Sequence, residues 1–355
     1  RFVPLLCLSI LAGHAWAQSE PAPEPEKVLV VGQRPGPGLW KISKGEHVMW
    51  VFGTYAPLPA KMEWRAHEVE VKLSQSQEFL SRPATGIAVG YSAVTALPFM
   101  VGFKNNPNGA SLKDVVPADV YARWLPLKAK YIGENDGIER ERPMFASDEL
   151  FRKGLAHAGL SGNTGIDKKV SDIAKKYNVK TTSTGVTTKV ESPVKAIRAF
   201  KKSTMNDLAC FSRAIERLET DLDAMRVRAN AWAIGDIAVI ESLKFADRDD
   251  ACADAVMNSV VADIQPEIRT MKARVRESWL VAAEKALATN KSTFAMLSMK
   301  EILDPKGLVA EMQAGQVELL VILGSNPVYG APADVPLAEA LLRVLEPLAA
   351  EHERL

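Results

Sequence analysis

Leu39-Trp40-Lys41-Ile42, Ser43-Lys44-Gly45-Glu46-His47 and Val48-Met49-Trp50-Val51-Phe52-Gly53-Thr54 form the stretch on which the fold turns. Two short apolar and aromatic runs flank a polar link that contains a glycine, the pattern of a β-hairpin. Two strands therefore open the folded part. Residues 63–80 are polar and helix-compatible, and Gly86-Ile87-Ala88-Val89-Gly90 reads as a further strand, so strands and helices alternate.

The clearest periodic signal lies farther on. Leu208, Phe211, Ile215, Leu218, Leu222, Met225, Ala229 and Trp232 recur every three or four residues, an apolar stripe on a helix of about seven turns. Gly235 ends it. Residues 250–288 read as a second helical segment broken near Pro266, and the aromatic stripe reads as packing between these helices rather than as a cofactor box. Residues 294–297 and 317–322 read as late strands. The expected class is α+β: a central mixed β-sheet flanked by helices, with a long helical insertion. The folded part spans residues 39–325, followed by a linker and terminal helix over 326–355. A split into two domains near residue 200 is the alternative.

The first residues have the character of an export signal. Arg1 precedes an apolar run from Phe2 to Gly13, and Ala15-Trp16-Ala17 precedes Gln18, the basic, apolar and small-x-small order that a signal peptidase reads. Residues 1–17 are thus expected to be removed after Ala17, leaving a soluble periplasmic or secreted protein. Residues 18–38, rich in Pro, Glu and Gly, read as an extended linker, interrupted by Val28-Leu29-Val30-Val31 as a possible edge strand. No later run is long and apolar enough to span a bilayer. With 44 Lys plus Arg against 43 Asp plus Glu, no basic excess supports nucleic-acid binding.

Cys7 lies inside the signal and ends no lipobox. Cys210 and Cys252 are left, and an even pair in an oxidising compartment reads as one disulfide, two buried free thiols being the alternative.

Several short motifs carry a resemblance. Leu39-Trp40-Lys41-Ile42-Ser43, Trp50-Val51-Phe52-Gly53-Thr54-Tyr55-Ala56-Pro57-Leu58-Pro59 and Trp64-Arg65 come first, then Arg142-Pro143 and Gly165-Ile166-Asp167. Ala231-Trp232-Ala233-Ile234-Gly235-Asp236, Trp279, Ser292-Thr293-Phe294 and Asp304-Pro305-Lys306-Gly307-Leu308 complete the order. From Leu39 to Leu320 this resembles the TraB/GumN family, which includes the Tiki proteins. The resemblance implies a metal-dependent hydrolase. Its first strand would end in Gly-Thr-x-His, its last core strand in Gly-x-x-His, and a glutamate would follow the first helix. Two imidazoles and a carboxylate would hold a divalent metal that acidifies a water.

This chain departs from that pattern at each ligand. The motif-equivalent positions are Gly53, Thr54 and Ala56 in the first motif, and Ser298 and Glu301 in the last. Ala56 and Glu301 stand where the histidines would, and Phe79-Leu80-Ser81-Arg82 offers no carboxylate. The family's Arg-Asn-x-x-Trp reads Val275-Arg276-Glu277-Ser278-Trp279. His47, His67, His157 and His352 show no grouping, and Asp247, Asp249, Asp250 and Asp254 read as a solvated helix start rather than a calcium loop. No nucleophile elbow, phosphate loop or dinucleotide fingerprint is present.

The expectation is an exported, catalytically degenerate TraB/GumN-like protein with a binding or supporting role in the cell envelope. No metal or cofactor is expected, and the ligand would be a peptide or an envelope protein. The alternative is a metal-dependent hydrolase with non-standard ligands, Glu301 and Asp304 being the nearest carboxylates.

Overall fold

The opening hairpin is built as its apolar runs require. β1 (Leu39–Lys44) and β2 (His47–Thr54) pair antiparallel from Leu39 opposite Phe52 to Lys44 opposite His47. The computed structural model describes residues 36–88, 92–242, 248–314 and 318–320. The signal segment 1–17, linker residues 18–35 with 28–31, and Asp247 lie outside the described residues. So do residues 317 and 321–322, the terminal segment 326–355 and His352.

The other strands are β3 (Leu58–Pro59), β4 (Glu78–Leu80), β5 (Thr85–Ala88), β6 (Leu160–Ser161), β7 (Lys180–Thr182), β8 (Val186–Lys189), β9 (Ser292–Ser298) and β10 (Glu318–Leu320). The main sheet has the order β10-β1-β2-β9-β4-β7. β2, β9, β4 and β7 run parallel, while β1 and β10 add an antiparallel edge. β9 lies at the middle, and Thr293 to Leu297 are all buried, as expected of a strand covered on both faces. This is a mixed sheet with flanking helices, the α+β class read from the sequence.

Helix Met271–Thr289 packs against β1, β2, β4 and β9 and brings Trp279, Ala283, Ala286 and Leu287 into the main core. A second apolar cluster joins Trp124, Leu150, Phe211, Ile215, Leu218 and Met225. These residues come from helices Ala118–Tyr131, Pro143–His157, Leu208–Thr220 and Leu222–Ile234, the helical insertion.

Three local expectations are corrected. The segment 63–80 is not one helix: it forms His67–Ser74 and then β4, an inner strand of three residues, too short to show a period of two. Residues 85–88 do form a strand, but β5 pairs only with β8 in a separate two-stranded sheet. The long striped helix is two helices meeting at Asp221. The stripe passes through the break because Asp221 keeps right-handed helical angles, and Asp221 N to Arg217 O and Met225 N to Asp221 O retain the i to i−4 spacing.

Gly235 ends the second of these helices with φ +72°, the left-handed conformation that favours glycine at a helix end. Asp236 then donates its N–H back to Ala231 O. Cys210 and Cys252 are joined, tying helix Leu208–Thr220 to helix Arg248–Met257.

Candidate functional site

The carboxyl ends of β2, β9 and β4 point the same way, and an open parallel sheet places its ligand crevice outside such ends. Thr54 stands opposite Ser298 in the β2–β9 register, and its Oγ1 donates to Leu297 O at 3.1 Å. Ser298 caps the short helix Met299–Leu303, its Oγ accepting from Glu301 N at 3.2 Å. A cleft of about 1260 Å³ opens there, lined by Thr54, Tyr55, Ala56, Arg82, Arg217, Ser298, Lys300 and Asp304 among others.

Its second wall comes from the pairing of β3 with β6, Leu58 opposite Ser161. This brings the chain after β6 beside the chain after β2. Gly162 to Lys168, including the first turn of helix Ile166–Lys176, therefore line the same cleft as Ala56. At the mouth, Arg82 makes two hydrogen bonds to Asp167, at 3.3 and 2.8 Å. Both side chains are exposed, so the pair fixes a position more than it stabilises.

Gly53 is required by packing. A Cβ there would lie 2.5 Å from Met299 Sδ and 2.6 Å from Trp40 Cζ3. Its carbonyl accepts from Trp232 Nε1 at 2.7 Å, and Trp232 meets Trp64, which stacks on Phe52. Gly53, Trp64, Trp232 and Gly235 are thus bound into the core. Asp236 accepts from Val239 N, and Trp279 is fully buried.

The two candidate carboxylates diverge. Asp304 lines the cleft, and its Oδ1 accepts from Lys306 N. Glu301 is not among the lining residues. Its carboxylate accepts from Arg276 Nη1 at 2.8 Å and from Leu308 N at 3.2 Å, so it holds the start of helix Leu308–Ala314. Arg276, at the altered Arg-Asn-x-x-Trp motif, also reaches Lys306 O and Glu311.

The side chains at the three expected ligand positions do not make a donor set for a divalent metal. Ala56 lines the cleft without a donor atom, Glu301 is engaged outside it, and Arg82 brings a cation where a glutamate would follow the first helix. Among the described residues no group of three or more His, Cys, Asp or Glu could hold a metal ion. His47 bonds Asn290 O before β9, and His157 meets the Tyr131 ring edge-on. His67 opens a helix elsewhere. Asp249 and Asp250 start helix Arg248–Met257; Asp249 pairs with Arg248, and Asp250 with Lys272 and Lys300.

The sequence reading passed over a polar cluster in the cleft wall. Tyr55 accepts a hydrogen bond from Arg228 Nε at 3.0 Å. Arg228, fully buried, also donates twice from Nη2 to Asp221, at 2.8 and 2.7 Å. Arg217 approaches the same carboxylate at 3.4 Å. Burial pushes the Tyr55 hydroxyl above its ordinary pKa despite the pull of Arg228 and Arg217, so it remains neutral at neutral pH. The signal for this cluster was an Arg, Asp, Arg series at 217, 221 and 228, helical spacings of four and seven beside the apolar stripe.

The model of the TraB/PrgY/gumN family matches residues 38–319. Comparison with curated protein sequences and with solved structures finds no match to either.

Proposed function

Since the chain belongs to the TraB/PrgY/gumN family, we propose that it is an exported member that has given up metal-dependent hydrolysis and acts by binding a ligand in the cell envelope. The observation that carries this reading is Ala56: at the carboxyl end of β2, in the cleft, the chain places a methyl group where the resemblance implies a metal-binding imidazole. Glu301 supports it, because its carboxylate is engaged by Arg276 and Leu308 N. Losing one ligand can be offset by water, whereas replacing two imidazoles and a carboxylate removes most of a site's affinity.

Export is supported by the signal-like residues 1–17 and by the Cys210–Cys252 bond, which persists in oxidising compartments. No helix among the described residues is long and apolar enough to cross a membrane.

Elemental analysis of protein purified without chelator, together with a peptide-cleavage panel, tests the loss of catalysis. The expected result is no stoichiometric transition metal and no chelator-sensitive cleavage. Bound metal at one per chain, or cleavage abolished by Glu301→Gln, would overturn it in favour of a hydrolase with non-standard ligands. Intact mass of periplasmic material tests export, the expected first residue being Gln18.

A further inference from the structure

Arg217 is 8% exposed and lines the cleft. Its aliphatic stem and guanidinium lie against Phe151, Cζ 5.1 Å from the ring centroid. Its Nε is buried with no hydrogen-bond partner. The carboxylate it approaches, Asp221, is already held by two hydrogen bonds from Arg228. Two guanidinium groups therefore share one carboxylate beside a neutral tyrosine, and the cluster keeps a net positive charge. Desolvated charge is tolerated in proteins when it is paired and hydrogen-bonded, and Asp221 meets that need for Arg228 but not for Arg217.

The other cations of the cleft are placed differently. Arg82 and Lys168 are exposed and each has a carboxylate within hydrogen-bonding distance, Asp167 and Asp172. On the facing wall stands the first turn of helix Ile166–Lys176, whose leading N–H groups have no partner within the helix and carry the positive end of its dipole.

We propose that this cleft receives an oxyanion carried by the ligand, a carboxylate or a phosphate, with the Arg217 guanidinium as its principal partner and the start of helix Ile166–Lys176 as the opposing donor. The proposal rests on the binding reading above and names the chemistry of what is bound. A guanidinium offers a planar fork suited to both groups, and the apolar backing of Phe151 strengthens the interaction by keeping water from one side. Carboxylate and phosphate share this chemistry, so the experiment must separate them.

The intact protein is titrated with N-acetylglycine, a minimal peptide carboxylate, and separately with inorganic phosphate. Ionic strength is held constant with chloride, and both calorimetry and melting temperature are read. Saturable binding of at least one probe is expected, and the tighter one identifies the source of the oxyanion. Arg217→Gln should weaken it at least about tenfold, the loss expected for a charge-assisted hydrogen bond, Arg217→Lys should weaken it less, and Arg82→Gln should change it by less than about twofold. If neither probe binds saturably to the wild type, water alone serves Arg217 and the proposal fails. It fails equally if Arg217→Gln binds as tightly as the wild type. The wild-type titration decides even if a variant at this buried position does not fold. Failure here leaves the non-catalytic reading standing, because metal content and cleavage decide that separately.

Discussion

Trp232 donates its indole N–H to the carbonyl of Gly53 at 2.7 Å, joining the end of β2 to a helix 179 residues later in the chain. Trp232→Phe would keep most of the ring and leave that buried carbonyl without its partner, at a cost of about 1–3 kcal/mol. Gly53→Ala would drive a methyl group into Met299 and Trp40, an overpacking cost of roughly 1–3 kcal/mol. Urea unfolding of both variants checks this, and wild-type midpoints would refute it.

Cys210 and Cys252 close a loop with a sequence separation of 42, and Cys210 is fully buried. Constraining the unfolded chain by that amount stabilises by roughly 4 kcal/mol in the loop-entropy description. The paired Cys210→Ala, Cys252→Ala variant should therefore melt well below the wild type. Adding reductant should narrow that difference, and alkylation of the folded wild type without reductant should label neither cysteine.

Asp221 is the one carboxylate hydrogen-bonded to Arg228 among the described residues. Asp221→Asn leaves a fully buried guanidinium without a counter-ion, a loss of about 3–5 kcal/mol. Denaturant unfolding near neutral pH reads this directly, and a change under about 1 kcal/mol would show that the buried charge is compensated elsewhere.

Glu78 sits at the start of β4, at the end of the sheet away from the cleft. Burial pushes its carboxyl pKa up, but hydrogen bonds from Thr182, Lys180 and Asn290 outweigh that and hold it below the ordinary glutamate value. A depressed folded-state pKa stabilises the protein above the unfolded value of about 4.3, and that stability is lost as pH falls through the folded value. The wild type should thus exceed Glu78→Gln by roughly 1–2 kcal/mol at neutral pH, with the two converging as pH falls below about 4. A constant difference across pH 7 to 3 would contradict the assignment.

The double variant Ala56→His with Glu301→His should bind no zinc at micromolar concentration. The side chain at 301 is directed to Arg276 and to the start of the following helix rather than into the cleft. Tight zinc uptake in a folded double variant would show that position 301 reaches the cleft and would refute this placement.

Sequence pattern alone was enough for the hairpin of β1 and β2, the buried β9, the apolar stripe through Trp232 and its stop at Gly235. Each is a local signal: alternating or continuous apolar runs, a repeat of three or four, a glycine where a helix must reverse. The family likeness was legible for a related reason, since Gly53, Trp64, Trp232 and Gly235 are specified by packing or backbone needs that few other residues meet. Tertiary structure alone decided that three residues, 78–80, form an inner strand, because a segment so short takes its conformation from the neighbours that complete its hydrogen bonds. It alone separated Asp304 from Glu301, adjacent carboxylates in sequence but divergent in direction after a single helical turn. The cluster of Tyr55, Arg228, Asp221 and Arg217 joins the end of a strand to two helices more than 150 residues away. Its unequal division of one carboxylate between two arginines depends on distances that exist only once the helices have packed.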